Sequence, residues 1–302
     1  MGGRKILVVG SSNTDMVIKT QNFPAPGETI LGGKFLMNAG GKGANQAVAA
    51  ARLGGLVTFV GKIGYDIFGK KAVQLLENEG INVDYVALDK DNPSGVALIT
   101  VDQNGENSIV VAPGSNGTLS PTDFEKAIPE LDDSELVLMQ LEIPIPTVEY
   151  IARMANQKGK KVILNPAPAA KLSDELLKNL YLITPNETEA ELLTGIQVSD
   201  EKSALEAAGY LHAKGVEIVI ITMGSSGAFI LANGKYETIK APKVKAIDTT
   251  AAGDTFNGAL AVALSEGKNL QESVTFANKA AAISVTRVGA QTSVPYRSEI
   301  VE

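Results

Sequence analysis

The 302-residue chain has no cysteine, no tryptophan and a single histidine. Without cysteine it can form no disulfide, no thiolate metal site and no cysteine nucleophile. The one histidine, His212, falls in the helical pattern Ala204 to Lys214, where a surface or half-buried side chain is the plain reading. Histidine triads and multi-histidine metal centres are therefore excluded. Positive charge is also scarce, with 27 basic against 34 acidic residues and a net charge of −7. The protein offers no global attraction to nucleic acid or to an anionic membrane, so any phosphate it binds is held locally. Long apolar runs are missing too. The run from Ile6 to Gly10 near the start is far too short for a signal peptide or a membrane span, and a cytoplasmic protein is expected.

What is present is a large apolar fraction, 44%, in a length that suits one α/β domain over residues 1–302 with an appendage. Short apolar runs at Ile6–Val9, Val57–Val60, Leu136–Leu141, Val162–Leu164, Tyr181–Ile183 and Ile218–Thr222 read as buried strands. Between them lie helical patterns, approximately Gly43–Leu53, Phe68–Glu79, Pro146–Lys158, Asp174–Asn179, Glu187–Leu193 and Asp200–Lys214. This alternation predicts a mostly parallel central sheet with helices on both faces. Two segments break the rhythm, about 14–37 and 94–111, the second a hairpin on Asn104-Gly105. With no helix following either one, they are expected to form a small antiparallel β layer that acts as a lid. Two strand-like pieces, Ala228–Leu231 and Glu237–Ile239, and two helices, Thr255–Leu264 and Leu270–Val285, complete the chain.

The most telling motif is Asp248-Thr249-Thr250-Ala251-Ala252-Gly253-Asp254-Thr255-Phe256, at a strand-to-helix turn. Ala251, Ala252 and Gly253 have so little side chain that their N–H groups can cradle an anion at the positive end of a helix, and Asp254 is placed to take a proton. A second motif, Gly40-Gly41-Lys42-Gly43-Ala44-Asn45-Gln46, precedes the helix Ala47–Leu53 and suits a small polyhydroxylated ligand. It is not a Walker A loop, which needs four residues between its first glycine and Gly-Lys-Ser/Thr. Asn13 and Asp15 follow the first strand, where open α/β sheets bind ligands, and Glu142 ends another. In Thr184-Pro185-Asn186-Glu187-Thr188-Glu189, the Asn186/Glu189 pair reads as a capping box or as holders of the waters of a magnesium ion. The small-residue loop Thr222 to Gly227 suits nucleotide phosphates and ribose.

Taken in order, these motifs resemble the ribokinase-like (PfkB-type) carbohydrate kinases, from about Ile6 to Pro295, with Asn165-Pro166-Ala167-Pro168 as a further marker. The resemblance implies ATP-dependent phosphorylation of the 5-hydroxyl of D-ribose, a nine-stranded α/β domain, a β lid, and a homodimer joined through the lids. It implies that Asn13, Asp15, Gly41, Lys42, Asn45 and Glu142 hold the sugar and that Asp254 is the base. Asn186, Glu189, Thr222, Gly224, Ser225, Gly227, Gly253 and Asn278 would contact ATP or its Mg2+. A monovalent cation, usually K+, would lie among Asp248, Thr250, Ser284, Arg287, Gly289 and Ser293. Thr250 and Ser284 stand where the family pattern varies, and Ala251 replaces its commoner glycine. The alternatives are another sugar or nucleoside kinase of the superfamily, such as a deoxyribokinase or an adenosine kinase-like enzyme, or a non-catalytic sugar-binding protein. An aromatic content of 5% leaves Phe35 as the base-stacking candidate near Asn13 and Asp15.

Overall fold

The computed structural model describes residues 5–301; residues 1–4 and 302 of the expected 1–302 domain lie outside the described residues. The strands are β1 Lys5–Val9, β2 Asn13–Lys19, β3 Phe35–Gly40, β4 Leu56–Val60, β5 Lys62–Gly64, β6 Ala87–Asp89, β7 Gly95–Val101, β8 Asn107–Ala112, β9 Ser134–Met139, β10 Lys161–Leu164, β11 Leu182–Ile183, β12 Ile218–Thr222, β13 Ala228–Ala232 and β14 Lys235–Ile239. The helices are α1 Lys42–Arg52, α2 Ile67–Asn78, α3 Pro121–Glu125, α4 Ile128–Asp133, α5 Ile145–Gln157, α6 Asp174–Lys178, α7 Glu187–Thr194, α8 Glu201–Ala213, α9 Ala252–Ser265 and α10 Leu270–Ser284.

Eight strands form the main sheet in the order β14-β13-β12-β11-β10-β9-β1-β4. All of its pairings are parallel except those of β13 with β12 and with β14. Where nine strands were implied, the described residues show these eight plus an isolated parallel bridge from Thr58 to Asn82 beyond β4. Both faces of the sheet are covered, which is why its strands read as unbroken apolar runs. In β1, Leu7 and Val9 enter one core with Val148 and Ile151 of α5 and Leu211 of α8. Ile6 and Val8 enter the other, with Ala47 of α1, Leu260 of α9 and Ala277 of α10. Helix α9 is buried continuously from Asp254 to Ser265, as a helix lying between the sheet and two other helices must be.

Strand β1 is the switch point of the sheet, with β4 on one side and β9 to β14 on the other. Ligand crevices form at such points, beyond the strand carboxyl ends. The residues that follow β1, β9, β10 and β11, namely Ser11, Glu142, Asn165 and Thr184, therefore converge on one edge.

The two rhythm-breaking segments form a separate four-stranded sheet, β3-β2-β7-β8. Its outer pairings are antiparallel, and the central one, β2 with β7, is parallel. The hairpin between β7 and β8 turns at Gly105, and Asp102 Oδ1 pins it by accepting from the Asn104 and Glu106 N–H groups. Every residue of β8 is exposed. Helices α3 and α4 and the short pair β5-β6 were not expected from the sequence.

Candidate active site

The glycine motif does not precede α1; it forms the first turn of that helix. Helix α1 begins at Lys42 because Gly41, at φ 88°, takes the capping position, and because Glu142 Oε2 accepts the Lys42 N–H at 2.9 Å. A Cβ on Gly41 would stand 2.7 Å from the Asn13 nitrogen, so only glycine lets the helix start pack against the β1–β2 crossover. Glu142 Oε2 also accepts from Ser11 Oγ at 2.5 Å. Starting the helix early turns Asn45 and Gln46 toward α9.

There they meet Asp254. Its Oδ2 accepts from Asn45 Nδ2 and its Oδ1 from Gln46 Nε2, each at 2.9 Å. Burial pushes the Asp254 carboxyl up from its ordinary value, against Lys42 and these two amides, with Glu142 adding to the rise. Asn45 Oδ1 is buried and accepts no hydrogen bond. Asp15 faces the same space. It is pushed up to about 6, by burial first and then by Glu142 and Asp254, with Lys42 opposing. For Lys42, burial works against the charge, yet Asp254, Glu142, Glu189 and Asp15 together raise its pKa and keep it cationic. Asn13 Oδ1 accepts from Asn116 Nδ2 at 2.8 Å, which leaves the Asn13 NH2 as the free donor.

A cleft of about 200 Å³ opens beside Asp254, lined by Lys42, Asn165, Ala167, Thr184, Asn186, Glu189, Thr222, Thr249, Ala251, Ala252, Gly253 and Asn257. Ala251 caps α9 in the left-handed region at φ 58°. The Ala252 N–H is used by the Thr249 carbonyl at 3.2 Å, so the unused donors of the first turn are those that follow, at Gly253 and Asp254. A non-glycine residue in this conformation is strained by roughly 1–2 kcal/mol. Ala251→Gly is expected to stabilise the protein by about 1 kcal/mol, raising the melting temperature by about 2 °C with turnover retained. Differential scanning fluorimetry checks this; a lower melting temperature would contradict the strain.

Asn186 and Glu189 form the capping box, each backbone N–H bonding the other side chain at 2.8 Å. Burial raises the Glu189 pKa against the Asn186 bond and Lys42, with Asp254 adding to the rise. The box uses Asn186 Oδ1 and Glu189 Oε2, and both residues line the cleft. Asp248 braces two loops: Oδ1 accepts the Thr250 N–H and Oδ2 the Gly289 N–H, both at 2.9 Å. Burial alone would raise its pKa, but these bonds lower it. Arg287 turns away to pair with Glu299, while the Ser284 and Ser293 hydroxyls bond the Ala281 and Ala290 carbonyls. Asn278 donates to the Ile239 carbonyl at 3.0 Å and ties α10 to β14 rather than lining the cleft. Of the Thr222 to Gly227 loop, Thr222 lines the cleft, whereas Gly224, Ser225 and Gly227 lie in and after a short 3-10 turn. His212 bonds the Val216 carbonyl, away from this site.

A buried carboxylate, Asp254, lies between the glycine motif of α1 and the open first turn of α9, and the sequence profile of the pfkB family carbohydrate kinases matches residues 4–297. The chain belongs to that family. It is 49% identical over 299 residues to the ribokinase of Haemophilus influenzae, covering 99% of this chain and 98% of that one. Among solved structures, the ribokinase of Arabidopsis thaliana complexed with ribose and ATP matches with a TM-score of 0.91 at 34% identity, over 99% of this chain and 97% of that one. The ribokinase of Thermotoga maritima matches at 0.89 and 41% identity, over 98% of each chain.

Within this pfkB family site, sequence reasoning assigned no role to Ser11, Asn116, Gln140, Asn165, Thr184, Thr249 or Asn257. Asn165 and Thr184 directly follow predicted strands, so their position was a usable signal. Asn257, an amide inside an otherwise apolar helix, was another.

Proposed function

We propose that this pfkB family kinase transfers the γ-phosphoryl group of ATP to the 5-hydroxyl of D-ribose, giving ribose 5-phosphate and ADP. The observation that carries the reading is the Asn45–Asp254 contact, which brings the hydroxyl-binding motif and the buried base together at 2.9 Å. Asp254 takes the proton of the attacking hydroxyl, while the N–H groups of Gly253 and Asp254, at the positive end of α9, meet the charge developing on the phosphoryl group. Lys42 adds a cation beside them. Little covalent chemistry is needed, because phosphoryl transfer depends mostly on alignment and charge relief. Asn13, Asp15, Asn45 and the N-terminus of α1 bind the sugar. Glu142 acts behind them by anchoring Ser11 and Lys42, and the small sheet closes over the site as a lid that limits ATP hydrolysis.

Asp15, Glu142, Glu189 and Asp254 outnumber Lys42, so the donor set favours a nucleotide carrying a hard divalent cation. Asn186 and Glu189 would hold the waters of Mg2+, which neutralises phosphate charge when bound. The loops braced by Asp248 offer neutral carbonyl oxygens suited to K+. Exchanging potassium for sodium or a bulky ammonium ion is expected to lower the rate, and indifference would remove that site. The need for ATP supports a cytoplasmic location. Leu98, Ile109, Val110 and Val111 leave the small sheet apolar and exposed, which supports a homodimer closed through the lids. Sedimentation at micromolar concentration is expected to give the dimer mass, and a monomer would contradict it.

The test of the activity is ADP release with ribose, 2-deoxyribose, fructose 6-phosphate and adenosine. Ribose is expected to give the highest kcat/KM; no turnover of ribose overturns the proposal.

A further inference from the structure

Behind the cleft, hydrogen bonds run from the base through buried polar side chains and back to the cradle. Gln46 has no exposed surface and is not on the cleft wall. Its Oε1 accepts from Gln140 Nε2 at 2.6 Å, and its Nε2 donates to Asp254 Oδ1 at 2.9 Å and Asn165 Oδ1 at 3.0 Å. Asn165 Nδ2 donates to the Thr184 carbonyl at 3.1 Å, and Thr184 Oγ1 to Asn257 Oδ1 at 2.6 Å. Asn257 Nδ2 then donates to the Gly253 carbonyl at 2.8 Å, and Gly253 is bonded covalently to Asp254. The path closes on itself, and every side chain in it is at least nine-tenths buried.

We infer that this closed ring is a positioning device for the transfer reaction, in which Gln46 keeps the Asp254 carboxylate a hydrogen-bond acceptor and sets its direction, while Asn257 holds the Gly253 peptide of the cradle. The direction of the Gln46 amide is forced. Asn165, its NH2 fixed on the Thr184 backbone carbonyl, turns its oxygen to Gln46, so only the Gln46 N–H groups can face Asn165 and Asp254. A donor there favours the ionised base over the protonated one, countering the burial that penalises ionisation. A flipped amide would place a carbonyl against the carboxylate. Because base and cradle belong to one ring and one helix turn, a shift of either is transmitted to the other. Gln46 and Gln140 are both fully buried and off the cleft wall, so they act through Asp254 as positioning residues.

The inference rests on Asp254 being the base, and the test separates the two. The other charges facing Asp254 are Lys42 on α1, Glu142 after β9, Asp15 on β2 and Glu189 on α7, and the substitutions leave all of them in place. In Gln46→Met, kcat at neutral pH is expected to fall about 10- to 100-fold with the ribose KM within about threefold. The acid limb of the kcat profile should move to higher pH, so the loss shrinks as pH rises. Gln140→Met should move the limb in the same direction by less, because the Gln46 amide loses the donor on its oxygen while Asn165 Oδ1 still holds its NH2 on Asp254. That variant removes Gln140 Oε1, a buried acceptor without a partner, and leaves Gln46 Oε1 as another, so the two effects on folding offset. An unmoved acid limb in Gln140→Met, or in a folded Gln46→Met, overturns the ring while Asp254→Asn remains inactive. Full activity of Asp254→Asn overturns the base assignment, and the ring inference with it.

Discussion

Asp254→Asn lowers kcat by at least about 10²-fold while ribose binding survives, the scale expected when a general base is removed. Asparagine matches aspartate in shape and keeps one acceptor oxygen, so one of the two amide contacts, from Asn45 or Gln46, is retained. Its NH2 faces the other donor and cannot take a proton from a hydroxyl. The proposed ground-state contacts of the sugar with Asp15, Asn13 and Asn45 are left in place, so the defect is expected on kcat rather than on affinity. Stopped-time ADP release and calorimetric ribose titration separate the two. Because burial raises the Asp254 pKa, the acid limb of the wild-type profile is expected above the ordinary carboxylate range.

Asp15→Asn has the second large effect, and it acts in opposite directions on function and stability. In the proposed site Asp15 accepts from sugar hydroxyls. Losing two charge-assisted hydrogen bonds at about 1.5 kcal/mol each raises the ribose KM by about 10²-fold. For stability, a carboxyl raised from 3.8 to about 6 binds its proton more tightly in the folded chain than in the unfolded one. Its contribution is favourable at low pH and is lost as pH rises from about 4 to about 6. At neutral pH the ionised group costs the fold about 1–2 kcal/mol once its partial exposure is discounted. Asp15→Asn therefore melts higher than wild type at pH 7 and equally at pH 4, and wild-type ribose affinity falls as pH drops through about 6. A lower melting temperature at pH 7 would show that Glu142 and Asp254 do not strain Asp15.

The alternation of strands and helices was legible because parallel strands covered on both faces leave apolar runs, as in Ile6–Val9 and Ile218–Thr222. Periodicity could not reveal α3, α4, β5 or β6, each six residues or shorter. The start of α1 behind the glycine motif, at Ala47, was placed too late for a different reason, although the helical pattern from Gly43 came within one residue. Its cap is a left-handed glycine helped by Glu142, a hundred residues away in the chain. The same distance hid the buried ring: Gln46 is unremarkable alone, Asn257 marks only a polar group in a buried helix, and only the fold sets them around Asp254. Asn186 and Glu189 remained legible because a capping box is local. Asn278 shows the opposite case, a residue expected at the nucleotide whose side chain braces α10 against β14.

The most direct measurement is 31P NMR of a reaction containing ATP and ribose, with ADP counted in the same sample. The account predicts one ribose 5-phosphate for each ADP formed. ADP appearing with inorganic phosphate alone, or phosphate on another hydroxyl of the sugar, would contradict it.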